Sequence, residues 1–234
     1  MAYTTKTYIK GKVRKELRKG EREAAILSQL VDAKRDAIDI GANKGVYAEL
    51  LSRICKRVYA FEPNPKMYSV LKRSCAKNVE TFYMALSDKS GVAELRIPVR
   101  PSGYSNQGAS LSTYKINESY ASVEVKCSRL DELNLKNIGF IKIDVEGFEL
   151  SVLRGAVETI KRELPIMLIE IEEAHTGMPI EEMIAEVEAY GYRCQILLNG
   201  QIVDFSNKYI EKHIRNAQTR EDYIFNFIFV PIKN

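Results

Sequence analysis

Short apolar runs alternate along this chain with longer segments whose apolar residues recur at helical spacing. Four runs rich in branched and aromatic side chains cover residues 37–40, 58–61, 140–145 and 166–171. Strands that are apolar on both faces and separated by amphipathic helices are typical of a parallel sheet covered by helices. The pattern therefore predicts an α/β fold. A hairpin over 192–205 and a last strand over 223–230 are predicted to add an antiparallel edge.

The first run ends in an acid and continues into a turn bracketed by two glycines. Residues 39–45 read Asp-Ile-Gly-Ala-Asn-Lys-Gly, and a helix with Val46, Leu50 and Ile54 on one face is predicted next. Glycine at both ends suits a sharp bend in which the backbone approaches a ligand closely. The first turn of the helix presents unpaired N–H groups and a partial positive charge. A carboxylate or a phosphate is therefore expected above the turn.

The second run ends in Glu62, about 20 residues beyond the glycine turn. An acid at this position can accept hydrogen bonds from both hydroxyls of a ribose, as in dinucleotide-binding folds. The turn lacks the three-glycine G-x-G-x-x-G spacing, which disfavours NAD. Asp39, the turn and Glu62 together favour S-adenosylmethionine, with its methionine carboxylate at the turn and its amino group near Asp39. NAD and an ordinary βα turn without a ligand remain as alternatives.

Three further segments bear on this site. A third strand is predicted over 79–86, and the turn after it places Ser87 or Asp88 beside the adenine of a bound nucleoside, unless it is a plain turn. The polar stretch 100–120 is long for a loop in a compact domain and predicts a flap that faces the substrate. A helix is predicted over 148–163, ended by Pro165.

The N-terminal segment is basic and amphipathic. Residues 6–22 carry eight Lys and Arg residues, and apolar Ile9, Val13 and Leu17 recur every four residues. The spacing predicts a helix with one apolar stripe. This helix either docks on the domain with a solvated basic face, or serves as a lid or as a patch for an acidic partner. We expect residues 1–30 to form a basic helical cap and residues 31–234 to form the main domain.

Composition and cysteine spacing argue against several classes of protein. The formal charge of +4 is modest and mixed, so nucleic acid is not an expected partner. No apolar run reaches the roughly 18 residues of a membrane span, and residues 1–17 lack the apolar core of a secretory signal. The cysteines at positions 55, 75, 127 and 194 form no C-x-x-C pair. Their spacing argues against a zinc site and favours reduced thiols in a cytoplasmic protein.

Taken together, these residues resemble the FkbM family of S-adenosylmethionine-dependent methyltransferases over about residues 37–172. The most specific stretch reads IKIDVEGFE at 141–149, followed by LRGA at 153–156. Shorter matching stretches lie at 39–45, 61–65, 85–88 with the glycine at 91, 109–111 and 130–133. The resemblance implies a Rossmann-like class I methyltransferase fold. That fold is a seven-stranded, mostly parallel sheet with an antiparallel last strand and helices on both faces.

The resemblance also implies which residues bind the cofactor and what the enzyme methylates. The cofactor residues that match are Asp39, Gly41, Asn43, Gly45 and Glu62, with Ala42 in the same turn. Related enzymes often methylate hydroxyl groups, in sugars and natural products among others. The basic segment at the N-terminus lies outside the family pattern.

Methyl transfer to a hydroxyl needs a base near the methyl group. The candidates at the predicted strand ends are Asp144, Glu146, Glu170, Glu172 and His175. Asp144 could instead hold the cofactor, and Glu146 could cap the helix that follows. His175 suits a base near neutral pH, although a lone loop histidine is more often structural.

A divalent cation held by Asp144, Glu170 and Glu172 is a less favoured alternative, and no metal site is predicted. His213 lies in a predicted polar helix over 206–218 and is expected at the surface.

We therefore predict a cytoplasmic S-adenosylmethionine-dependent methyltransferase that acts on a hydroxyl of a carbohydrate or small-molecule acceptor. Two rival functions from other classes remain. The first is an NAD-dependent oxidoreductase, which Glu62 favours and the missing third glycine opposes. The second is a nucleoside-binding scaffold protein that uses the basic helix and catalyses no reaction. Cofactor binding by the purified protein separates the first rival from the predicted function.

Overall fold

Strands and helices alternate through residues 5–100, 103–104, 108–112, 119–219 and 221–232, which this computed structural model describes. The strands are β1 (Asp36–Ile40), β2 (Val58–Phe61), β3 (Val79–Phe82), β4 (Ala85–Leu86), β5 (Gly91–Arg100), β6 (Gly103–Tyr104), β7 (Tyr120–Ser128), β8 (Ile138–Ile143), β9 (Ile166–Glu170), β10 (Tyr192–Leu198), β11 (Gln201–Asp204) and β12 (Asn226–Pro231). The α-helices are α1 (Thr5–Lys19), α2 (Leu27–Leu30), α3 (Val46–Ser52), α4 (Pro65–Ser74), α5 (Glu149–Arg154), α6 (Val157–Glu163), α7 (Glu173–Thr176) and α8 (Ile180–Glu188).

The strand order of the central sheet creates a ligand-binding crevice. The order is β3-β2-β1-β8-β9-β12-β10-β11. Strands β1, β2, β3, β8 and β9 pair in parallel, whereas β12 is antiparallel to both of its neighbours. The chain order reverses between β1 and β8. In open α/β sheets, ligands bind outside the carboxyl ends of the two strands at such a reversal.

The predicted count of seven strands is one too low, since the described residues give the central sheet eight. The additional strand is β11, which pairs antiparallel with β10 across a two-residue turn within the hairpin predicted over 192–205. Asn199 and Gly200 in this turn have φ angles of 50° and 77°, the left-handed values that such a hairpin turn requires. The prediction of an antiparallel last strand is confirmed by β12.

A single strand over 79–86 is not formed. β3 stays in the central sheet, whereas β4 pairs in parallel with β7 in a second sheet of order β4-β7-β5-β6. The chain changes sheets because Ala85 takes Cys127 of β7 as its partner instead of continuing beside β2. Leu95, Ile97 and Val125 give this second sheet a small core of its own. Most of the predicted flap over 100–120 lies outside the described residues.

The helix predicted over 148–163 is divided into α5 and α6. The carbonyl oxygen of Gly155 accepts a hydrogen bond from the Asp131 N–H at 3.1 Å. The Asp131 carboxylate in turn accepts hydrogen bonds from the N–H groups of Glu158 at 3.2 Å and Thr159 at 2.8 Å. These bonds cap α6 at its own N-terminus. A residue distant in sequence therefore decides where the second helix begins.

The surface position expected for His213 is wrong. His213 lies in a short π-helix, Glu211–Arg215, and only 8% of its surface is exposed. Its Nδ1 lies 3.1 Å from the carbonyl oxygen of Asp222. The preceding polar segment forms a 3-10 helix, Asn207–Tyr209, in place of a regular α-helix.

Helices cover both faces of the sheet, and α1 lies on the same face as α3 and α4. Val13 of α1 joins a core cluster that includes Leu51 of α3 and Leu71 of α4. Ile9 is also buried, whereas Leu17 is 45% exposed. The apolar stripe of α1 therefore docks the basic helix on the domain. The boundary between residues 30 and 31 stays a prediction.

Within the described residues, no helix combines the length and the apolar character needed to cross a bilayer.

Candidate functional site

The glycine turn after β1 and the loop after β8 touch each other at the crevice. The N–H of Asp144 donates to the carbonyl oxygen of Ile40 at 3.0 Å. Gly41 has a φ of 82°, and a Cβ built on it would lie 1.8 Å from the carbonyl oxygen of Asp144. Only glycine permits two backbone segments to approach so closely. The contact brings the acids at the ends of β1 and β8 together.

Glu62 is held in place by the backbone. Its two carboxylate oxygens accept hydrogen bonds from the N–H groups of Asn43, at 2.6 Å, and Asn64, at 2.7 Å. Burial raises the pKa of Glu62 to about 7, against the effect of these two N–H groups. Each carboxylate oxygen keeps a further lone pair, so Glu62 can still accept two hydroxyl groups. This geometry suits the predicted ribose contact.

Two adjoining cavities open at this place. The first is lined by apolar side chains that include Phe61 and Leu86, together with polar ones that include Glu62. The second has a volume of about 340 Å³, and charged side chains dominate its lining. The two cavities share Gly41, Asn43 and Asp144. The space therefore has one end of mixed apolar and polar lining and one end dominated by charge, which suits an adenosine joined to an amino acid.

The predicted cofactor residues fall into three groups. Gly41, Asn43 and Asp144 line both cavities, Glu62 lines the first, and Asp39 and Ala42 line the second. As far as the described residues go, Gly45, Ser87 and Asp88 line neither cavity. Gly45 instead precedes α3, and the Ser87 hydroxyl donates to the Asp88 carboxylate at 3.0 Å. The assignment of these three residues to cofactor binding stays a prediction.

A buried lysine, Lys142 of β8, lies beneath the second cavity. Its Nζ lies 4.0 Å from a carboxylate oxygen of both Glu21 and Glu170, and 3.3 Å from Oδ1 of Asn226. The Tyr47 ring centroid is 5.2 Å away. Burial lowers the pKa of Lys142, but the surrounding carboxylates outweigh it, so the pKa is raised overall and the amine is charged.

The site contains more carboxylates than cations. Asp39 is 2% exposed, and within the described structure its Oδ2 accepts no hydrogen bond from the protein. Burial raises the pKa of Asp39 to about 7, with Lys142 acting in the opposite direction. Burial also raises the pKa of both Asp144 and Glu170. A cationic ligand would relieve this excess of negative charge, and S-adenosylmethionine carries positive charge on its sulfonium and amino groups.

The raised pKa of Asp39 predicts how the stability of the ligand-free protein depends on pH. The folded-state pKa lies above the usual value near 3.8, so the folded protein binds a proton more tightly than the unfolded chain. Stability should therefore rise as the pH falls from about 7 towards 5. We expect Tm to increase by on the order of 3 °C over this interval. Differential scanning fluorimetry across the interval measures it.

Asp39→Asn should reduce this gain, since asparagine does not titrate. Asp204→Asn is the matched control, because Asp204 is exposed on β11. Equal pH dependence in the Asp39→Asn variant and the wild type would contradict the raised pKa.

The catalytic candidates gather at the carboxyl ends of β8 and β9. Nε2 of His175 lies 3.5 Å from a carboxylate oxygen of Glu146 and 3.5 Å from one of Glu172. The other oxygen of Glu172 accepts a hydrogen bond from the Tyr223 hydroxyl at 2.7 Å. Asp144 and Glu146 line the first cavity, whereas Glu170 lies beside Lys142. The histidine thus lies between two carboxylates, and as far as the described residues go neither His175 nor Glu170 lines either cavity.

Glu146 contacts a segment that lies 36 to 38 residues earlier in the chain, and the suggestion that it caps α5 stays a prediction. Its φ of 57° is left-handed, and its carboxylate accepts a hydrogen bond from the Gly108 N–H at 3.1 Å. Its carbonyl oxygen accepts the Ser110 hydroxyl at 2.7 Å. Glu149 closes the loop instead, accepting from the N–H groups of Val145 at 3.3 Å and Gly147 at 3.0 Å. Residues 108–110 are therefore tied to the loop after β8, which carries Asp144 and Glu146.

Two groups of three side chains could each hold a metal ion, because the possible ligand atoms within a group lie within 4.8 Å of one another. One group is Glu170, Glu172 and His175, and the other is Glu21, Asp144 and Glu170. The set considered from sequence, Asp144 with Glu170 and Glu172, is divided between them. The hydrogen bonds of these carboxylates and their attraction to the buried Lys142 already explain much of why they lie close together. The prediction that no metal site is present stays a prediction.

Sequence reasoning missed several residues of the site. Glu21, Tyr47 and Asn226 reach the site from three separate parts of the chain, and no local pattern marks them. Lys142 gave one signal, because a charged residue in the middle of an otherwise apolar strand is unusual. Glu149 gave another, as an acid in the first turn of a helix.

Comparisons with known proteins identify the family of this chain. The sequence profile of the methyltransferase FkbM domain matches residues 39–194. Hexuronic acid methyltransferase AglP of Haloferax volcanii is 27% identical over 168 residues, which is 68% of this chain and 66% of that protein. The chain thus spans slightly less than two thirds of the length of this curated relative.

Two solved structures share the fold. A methyltransferase FkbM from Methylobacillus flagellatus KT matches with a TM-score of 0.54 at 16% identity, covering 86% of this chain and 45% of that one. A TehB-like SAM-dependent methyltransferase from Corynebacterium glutamicum matches with a TM-score of 0.52 at 10% identity, covering 98% of each chain. They confirm the predicted class I methyltransferase fold.

The profile match decides between the rival enzyme classes. It begins at Asp39 and includes the glycine turn, Glu62 and the loop after β8, and it describes a methyltransferase domain, not an NAD-dependent oxidoreductase. The chain therefore belongs to the FkbM methyltransferase family.

Proposed function

We propose that this chain transfers a methyl group from S-adenosylmethionine to a hydroxyl group of a carbohydrate or a similar small acceptor. The observation that carries the proposal is the buried, unpartnered carboxylate oxygen of Asp39 in a cavity that adjoins Glu62. A cation and a ribose satisfy these two acids together. The relative that methylates a hexuronic acid supports a carbohydrate acceptor.

Each part of the cofactor has residues that can bind it. Glu62 would accept the ribose hydroxyls, and Phe61, Met84 and Leu86 would pack against the adenine. Asp39 would accept the amino group of the methionyl part. The bound cofactor supplies an electrophilic methyl group, and the protein aligns the acceptor and excludes water.

His175 is the candidate general base. Glu146 and Glu172, both 3.5 Å from its Nε2, can orient the ring and stabilise the imidazolium that forms when it takes the hydroxyl proton. Asp144 lines both cavities, so its carboxylate adds negative charge beside the cofactor. Glu170 lies 4.0 Å from Nζ of Lys142, and its raised pKa favours the neutral carboxylic acid.

His175→Gln should lower kcat at least tenfold and leave the dissociation constant of the cofactor unchanged. Because the base must be neutral to accept a proton, wild-type activity should rise with pH over the interval in which the base loses its proton. This limb of the pH profile should be absent from the variant. A profile of the same shape in both proteins would remove His175 from catalysis.

The proposed reaction is tested in two steps. Calorimetry first measures binding of S-adenosylmethionine and S-adenosylhomocysteine, with NAD as the control ligand. Transfer of a labelled methyl group is then measured on hexuronic acids, neutral hexoses and non-sugar alcohols. Binding followed by transfer to one of these acceptors supports the proposal. Binding without transfer to any of them favours the non-catalytic scaffold, and NAD binding alone would contradict both.

We infer in addition that the protein works in the cytoplasm. Cys55, Cys127 and Cys194 are free thiols, and all three are buried. Free thiols persist in a reducing compartment. Cell fractionation with an antibody against the protein tests this location.

A further inference from the structure

The basic N-terminal helix forms one wall of the second cavity. Lys12 and Lys15 of α1 line it together with Lys44 of the glycine turn, while Asp39 and Asp144 line it from the strand ends. The helix lies before residue 39, where the family match begins. The cofactor site of this chain therefore includes a surface that the family pattern does not contain.

Helix α1 is held against the domain by two of its buried side chains and by a residue that follows its last turn. Ile9 and Val13 are buried on one side. Just beyond the helix, Glu21 accepts hydrogen bonds from the Tyr47 hydroxyl at 2.6 Å and the Asn226 side chain at 3.0 Å. Glu21 also lies 4.0 Å from Nζ of Lys142. These contacts hold Lys12 and Lys15 beside the cavity before any ligand binds.

The acids next to these lysines are already engaged. Glu16 accepts a hydrogen bond from the Glu21 N–H at 2.7 Å, and Glu21 makes the contacts described above. Over the part of the chain that is described, neither Lys12 nor Lys15 has an ion-pair partner, although Nζ of Lys12 lies 5.4 Å from the Tyr8 ring centroid. Asp39 likewise keeps an unpartnered oxygen. The cavity thus presents cations from one element and a carboxylate from another.

We propose that Lys12 and Lys15 bind the carboxylate of the methionyl part of the cofactor, while Asp39 binds its ammonium group. An α-amino acid carries one negative and one positive charge on neighbouring atoms, and this cavity offers a partner for each. The inference rests on the proposed cofactor site and adds the residues that hold its amino-acid end. An acidic group on the acceptor is the other possible source of a carboxylate.

Two cofactor analogues separate these sources. S-adenosylhomocysteine has the methionyl-type carboxylate, whereas 5′-methylthioadenosine has the same nucleoside without the amino-acid part. Both are measured by calorimetry, with no acceptor present, on the wild type and the Lys12→Gln/Lys15→Gln variant. We expect about tenfold weaker binding of S-adenosylhomocysteine, the equivalent of one charge-assisted contact. Binding of 5′-methylthioadenosine should change less than twofold.

The matched control is Lys10→Gln/Arg14→Gln. Lys10 and Arg14 lie on the exposed side of α1, so this variant removes the same charge from the same helix without touching the cavity. It should bind both analogues as the wild type does. An equal loss for both analogues in the Lys12→Gln/Lys15→Gln variant, or no loss for either, would overturn the inference.

Two further outcomes show whether the lysine assignment or the proposed function itself is wrong. If the variant binds both analogues normally but has a raised KM for an acidic acceptor alone, the lysines bind the acceptor and the inference is wrong. If the wild type binds neither analogue, the proposed function itself fails and this inference fails with it.

Discussion

Glu62→Ala is expected to weaken S-adenosylhomocysteine binding about a hundredfold. The substitution removes the acceptor of two ribose hydroxyl bonds, and hydrogen bonds to a charged group contribute about 1.5–3 kcal/mol each. It also releases the N–H groups of Asn43 and Asn64, which the carboxylate now fixes. The turn after β1 and the start of α4 would both lose this common anchor. Calorimetric titration of the variant measures the change.

Glu80→Ala is the control for this effect. Glu80 lies on β3, beside the strand that precedes Glu62, and its side chain is exposed. Its loss should leave binding unchanged. Glu62→Gln should give an intermediate loss, because its amide nitrogen cannot accept the N–H that one carboxylate oxygen accepts now. A Glu62→Ala variant that binds within threefold of the wild type would exclude Glu62 from the cofactor site.

Gly41→Ala is expected to destabilise the protein by about 3–5 kcal/mol. The new Cβ would lie 1.8 Å from the carbonyl oxygen of Asp144, and the φ of 82° is itself unfavourable for alanine. The backbone cannot withdraw easily, because the Gly41 N–H donates to the carbonyl oxygen of Phe61 and Ile40 accepts from Asp144, both at 3.0 Å. Relief of the clash must separate β1 from β8. Urea denaturation of the variant measures the loss.

Gly200→Ala separates the two causes of this loss. Gly200 has a similar φ of 77°, but a Cβ there would meet no atom within 4 Å. We expect only the cost of left-handed backbone, about 1–2 kcal/mol. The difference between the two variants then measures the contact between the turn and the loop after β8. Equal losses in the free energy of unfolding would contradict a close contact between the Gly41 turn and the loop after β8.

The first half of the cofactor site could be predicted from sequence because its parts are local. The turn from β1 into α3 and the acid at the end of β2 each follow directly from a buried strand. In a parallel sheet, neighbouring strands present their carboxyl ends at one edge, so Asp39, Gly41, Asn43 and Glu62 must meet there. The helix boundaries were less accurate. The division between α5 and α6 depends on Asp131, whose contacts lie 27 and 28 residues further along the chain.

The alternation of strands and helices, the glycine turn and the acids at the strand ends could be predicted because each depends on residues that are neighbours in the chain. Which charged groups share the cavity depends on tertiary contacts. Lys142 meets Glu21 and Asn226, and α1 brings Lys12 and Lys15 over the glycine turn, through contacts that join segments far apart in the chain. Hydrophobic periodicity predicts that α1 docks, but its position follows from the shape of the surface formed by α3 and α4. For that reason the residues proposed to bind the amino-acid part of the cofactor could be identified only from the folded structure.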